Sequence, residues 1–132
     1  MLERIGSTTA SDLVLVLDQE PQSSWEGIVR EELVRSGEAP PDVRRADAAA
    51  WIDGSNVERT EAWLGVLLEL PPEGMELLIR SALEALGSRD AAVNERFRSD
   101  VARGAARFHV PQLLRLEETF RRLAAELGEP WS

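Results

Sequence analysis

Proline and glycine punctuate this sequence at intervals that suit helices: Gly37, Pro40-Pro41, Asp53-Gly54, Pro71-Pro72, Gly87, Pro111 and Gly128. Glycine ends a helix because it enters the left-handed region at little cost. Proline cannot continue one because it has no amide proton. Between these marks apolar residues recur every three or four positions, which places them on one face of a helix.

The first such stretch runs from about Ser24 to Ser36, with Trp25, Ile28, Val29 and Leu33 on its stripe and Gly37 as its stop. Ser23 stands three residues before Glu26, the spacing of a capping box. Glu38-Ala39-Pro40-Pro41-Asp42 reads as a loop, and a short helix follows over Val43–Ile52. Ser55 or Asn56 is placed to cap the next helix, Val57–Leu70, which carries Trp63, Val66, Leu67 and Leu70. Pro72 suits the first turn of the helix after it, Pro72–Leu86, with Met75, Leu78, Ile79, Ala82 and Leu86 in phase. A fifth stretch, Arg89–Phe108, aligns Val93, Phe97, Val101, Ala105 and Phe108, and Gly104 within it signals close packing or a bend. The last, Pro111–Leu127, aligns Leu113, Leu116, Phe120, Leu123 and Leu127.

The expected fold is therefore all-α, an antiparallel bundle of five to six helices in a single domain spanning 1–132. Residues 1–22 form an N-terminal arm or short helix, and residues 129–132 a C-terminal tail. Leu13-Val14-Leu15-Val16-Leu17 is too short for periodicity to separate helix from strand. Helix or extended arm is favoured, because a strand needs a partner and no second strand is evident.

Composition narrows the chemistry. With no cysteine, disulfides, thiol catalysis and cysteine-ligated metals are excluded. All 15 basic residues are arginine, Tyr is absent, and Asn occurs only at positions 56 and 94. Lys, Asn, Tyr and Ile have AT-rich codons, so this usage reads as the product of a GC-rich bacterial genome. Zero lysine also removes Schiff-base chemistry and the phosphate-loop lysine. No G-x-S-x-G or G-x-G-x-x-G motif occurs. The acid pairs Glu58/Glu61 and Glu73/Glu76 fall in first helical turns, where carboxylates meet the helix dipole favourably. No metal and no cofactor is expected, and the sequence leans away from catalysis. No run is apolar enough to span a bilayer, and Met1-Leu2-Glu3-Arg4 does not open a signal peptide, so a cytoplasmic location and no membrane contact are expected.

The net charge of −9 conceals an asymmetry: residues 1–88 carry −10, residues 89–122 carry +3. The basic segment places Arg96, Arg103, Arg107, His109 and Arg115 as a candidate anion- or partner-binding set. The excess of acid over the whole chain makes DNA an improbable partner. The leading expectation is a non-catalytic protein that acts by binding another protein, as a regulator, adaptor, chaperone or immunity protein. The alternatives are a small-molecule or anion binder or enzyme with a pocket near His109, and nucleic-acid binding through residues 89–122. Both sides of Leu64-Gly65-Val66-Leu67-Leu68 and of Leu77-Leu78-Ile79 are apolar, so these helices are either central or pressed against a second copy. A homodimer with Leu64, Leu68, Leu77 and Trp131 as contacts is expected on that basis. Trp131, beyond the last helix stop, docks onto its own bundle or onto a second subunit.

Overall fold

The computed structural model describes residues 10–128 and Trp131, and every regular element among them is helical. Seven α-helices follow in order: α1 (Ala10–Gln19), α2 (Trp25–Gly37), α3 (Pro41–Gly54), α4 (Val57–Glu69), α5 (Pro72–Leu86), α6 (Ala91–Ala105) and α7 (Val110–Glu126). A 3₁₀ turn, Gln22–Ser24, leads into α2. The helix count exceeds the expected five to six because the Leu13–Leu17 segment is a full helix that buries Leu13 and Leu17. Residues 1–9 of the expected arm lie outside the described residues.

The caps correct two details. Ser23 does not cap α2: the chain enters through the 3₁₀ turn, Ser24 occupies the cap position, and its hydroxyl makes no capping bond. Pro41 is not loop but the start of α3, where its missing amide proton is one the helix would leave unbonded anyway. Elsewhere the side chains act as their positions suggest. Asn56 Oδ1 accepts from the Arg59 amide at 2.9 Å, and Asp90 Oδ1 accepts from the Val93 amide at 3.0 Å. Gly128 adopts φ +74°, the left-handed step that closes α7.

The bundle is organised around α4. It packs against α2, α5, α6 and α7, while α3 lies against α5, α1 and α6. Trp63, Leu64, Gly65, Val66 and Leu67 are all buried within the one chain. The helix that is apolar on two sides is thus the central one. Leu64 is fully buried and has no surface to offer a second copy, whereas Leu68 and Leu77 are half-buried. Trp63 joins the layers: its ring lies 6.5 Å from Trp51 on α3, 5.8 Å from Phe97 on α6 and 6.3 Å from Phe120 on α7. Tilted and edge-to-face pairs of this kind add about 0.5–1.5 kcal/mol each beyond the area they bury. No described helix is long and apolar enough to cross a membrane.

Candidate functional site

The arginines singled out by sequence do not converge on one anion site. Arg96 reaches from α6 to the end of α3 and donates to the carbonyls of Ile52 and Ser55. Arg107 pairs with Glu61 on α4 at 2.6 Å. Arg115 on α7 donates to the Leu68 carbonyl at 3.1 Å. Arg103 stands exposed on α6. His109 is exposed at the head of α7, where its amide donates to Gln112 Oε1 at 3.2 Å. The last carbonyls of a helix have no partner within it, and a guanidinium is well shaped to bond them. Arg59, which donates to the Gly54 carbonyl at 2.9 Å, serves α3 in the same way. Arg59, Arg96 and Arg115 therefore tie helix ends to neighbouring helices.

A polar cluster that the sequence reading passed over lies among α2, α3 and α5. Glu32, Ser36, Asp47 and Ser81 are all buried. Arg35 bridges the two carboxylates, at 2.6 Å to Glu32 and 2.9 Å to Asp47, and the Ser36 hydroxyl donates to Asp47 at 3.2 Å. The hydrogen bond to Glu32 holds the Arg35 guanidinium above its ordinary range, against the opposing effect of burial. A cavity of about 30 Å³ adjoins these groups, walled by Leu13, Trp51, Trp63 and Leu78. That is room for water-sized occupants only. The signal was present in the sequence: Glu32 and Ser36 fall on the same helical phase as Trp25, Ile28, Val29 and Leu33. Polar residues on an apolar phase mark a buried network.

Asp100 on α6 is buried, and its Oδ2 has no hydrogen-bond partner among the described residues. Burial pushes its carboxyl up from the usual range, Arg96 and Arg103 pull it back in part, and Glu58 adds to the rise. No three acidic or histidine side chains among the described residues are grouped to hold a metal ion.

A further feature is a cleft between α6 and α7. These helices are consecutive, yet they are absent from the closely packed helix pairs. The cleft has about 70 Å³ of free space and is lined by Val101, Ala102 and Ala105 from α6 and by Leu116 and Phe120 from α7. Trp131 occupies part of it. The indole lies 4.9 Å from the Phe120 ring, tilted by 31°, with the Arg98 guanidinium 4.8 Å from its centroid. The tail tryptophan is therefore docked on its own bundle. Along α7, Val110, Leu114, Glu117 and Arg121 recur at intervals of four, three and four, so they share one helix face. Glu117 and Arg121 line the cleft, which places Val110 and Leu114 on its extension toward the start of α7. Val110 is 64% exposed and Leu114 57%.

Comparison with known protein families, curated proteins and solved structures finds no match to this chain.

Proposed function

We propose that this protein acts without catalysis, by binding another protein along the face formed by α6 and α7. One observation carries the reading. A cleft opens between two consecutive helices, and Val110 and Leu114 stand exposed on the same face of α7 as Glu117 and Arg121, which line it. Single exposed aliphatic residues are ordinary on a protein surface, but two on one helix face beside a partly apolar cleft make a candidate contact patch. Grooves between helices are a recurrent seat for an amphipathic segment of a partner. The arginines of α6, α7 and the turn between them support the same assignment by what they already do. Arg96, Arg107 and Arg115 are engaged with carbonyls or a carboxylate of this chain, so an anionic ligand would have to displace those bonds.

The test is site-specific photocrosslinking in the cells that make the protein. A photoreactive residue in place of Leu114 is expected to give a discrete adduct with one partner. The same residue at Glu84, exposed on α5, is expected to give none. Absence of an adduct at position 114, or the same adducts at both positions, overturns the assignment.

A further inference from the structure

We infer that the cavity among α2, α3 and α5 is a hydration site, in which an ordered water accepts a hydrogen bond from the Trp51 indole. The inference concerns the interior and stands apart from the docking face on α7. Trp51 lines the cavity from α3 and is 4% exposed. An indole has one donor, Nε1–H, and this one has no hydrogen-bond partner among the described residues. Buried donors are, with few exceptions, bonded to protein or to ordered water. Two other groups on the cavity wall supply the rest of a water's bonds. Asp47 accepts from Arg35 and Ser36, both on Oδ2, which leaves Oδ1 for a further donor among the described residues. On α5 the Ser81 hydroxyl accepts from Arg44 Nε at 3.4 Å and keeps a lone pair and a proton. An internal water makes about three hydrogen bonds, so an indole donor, a carboxylate and a hydroxyl are a complete set.

Size and polarity decide what the occupant is. The cavity's volume of about 30 Å³ exceeds the roughly 10–15 Å³ that one water needs. It falls far below the roughly 300 Å³ at which small-molecule sites begin. An N–H group repels a metal cation, and Arg35 already neutralises Asp47. An anion would meet the Asp47 carboxylate. Water both accepts and donates, so it suits the indole on one side and the carboxylate on the other. It would also link α3 to α5 and join the polar network to the tryptophan pair Trp51 and Trp63.

The test is magnetisation transfer between water and the nitrogen-15-labelled full chain, with the Trp51 Hε1 resonance assigned by its loss in Trp51→Phe. Hε1 is expected to show cross-peaks at the water frequency in laboratory-frame and rotating-frame experiments, with opposite signs. That sign change marks a water that stays for longer than the protein takes to tumble. A serine hydroxyl proton can imitate such a peak, so oxygen-17 relaxation dispersion, which protein hydroxyls do not enter, is measured alongside. Ala48→Val fills the cavity from α3 and is expected to lower the dispersion amplitude by about one to two waters. Ser81→Val, which fills it from α5, takes its place if Ala48→Val loses helix content. Absence of the paired cross-peaks at Hε1 in the wild type overturns the inference. So does an unchanged dispersion amplitude in a folded cavity-filled variant, because the long-lived water would then lie elsewhere.

Discussion

Gly104 on α6 lies flush against Glu61 on α4: a β-carbon built on the glycine stands 3.3 Å from both the amide nitrogen and the α-carbon of Glu61. Leu64 Cδ1 is equally near. Two effects oppose each other in Gly104→Ala. Alanine is better than glycine inside a helix by about 1 kcal/mol. Overpacking against a backbone that cannot swing aside costs about 1–3 kcal/mol. A net loss of ~1 kcal/mol is expected, and a larger one for Gly104→Val. Gly27→Ala, with nothing within 4 Å, is expected to be neutral or stabilising. Urea denaturation compares them, and equal stabilisation by both alanines would contradict the close approach.

Leu78 on α5 and Phe120 on α7 both belong to the core. Leu78 is 6% exposed and Phe120 1%. Leu78→Ala is expected to destabilise by about 2–5 kcal/mol and Phe120→Ala by about 3–5 kcal/mol. Phe120→Ala also removes the ring under Trp131, so it should shift tryptophan emission to the red before any unfolding. A loss below ~1 kcal/mol for either would place that residue outside the core.

Two carboxyls are displaced in opposite directions from their ordinary pKa. Burial raises Asp100, so the folded state binds its proton more tightly than the unfolded state does. Its contribution to stability is greatest below the ordinary carboxyl range and is lost as pH rises through the folded-state value. Asp100→Asn should therefore stabilise at neutral pH, with the gain shrinking as pH falls toward 3.8 and below. Glu126 is lowered by its hydrogen bond to Arg80, with a 2.7 Å contact. Its contribution is present above the ordinary glutamate value and fades as pH falls through the lowered one. Glu126→Gln should weaken the fold slightly at neutral pH and not at all in strong acid. Denaturation midpoints from pH 2 to pH 8 read both slopes.

The bond from Arg115 to the Leu68 carbonyl closes the last turn of α4. A hydrogen bond with one charged partner contributes about 1.5–3 kcal/mol when desolvated. Arg115 is half-buried, which places the expected loss in Arg115→Ala at the lower end of that range. Arg122→Ala removes the exposed, solvent-screened pair with Glu76 and is expected to cost less than Arg115→Ala. Thermal melts that rank the two variants in the reverse order would remove the capping role.

The helices were legible because their signals are local. Pro72 and Gly87 bracket α5 as expected, and Val57 opens α4 as expected. Leu13–Leu17 was not legible, since its burial against α2 and α3 depends on residues far along the chain. The destinations of the arginines were hidden for the same reason. Spacing shows that Arg96, Arg103 and Arg107 lie near one helix face, but not that a carbonyl or carboxylate of another helix meets two of them. The α6–α7 cleft left only a faint trace: Val110 and Leu114 are apolar residues off the core phase of α7.

The caps lent across the bundle also order its assembly. The Ile52 carbonyl bonds Arg96, 44 residues later in the chain, and the Leu68 carbonyl bonds Arg115, 47 residues later. During synthesis α3 and α4 emerge with those carbonyls open to water, and at roughly 5–20 residues per second α6 and α7 follow only seconds afterwards. The N-terminal half is thus a nascent state that waits on its own C-terminal half. Chains stalled on the ribosome before α7 should remain sensitive to protease over α3 and α4, and gain protection in one step once the final helix has cleared the exit tunnel.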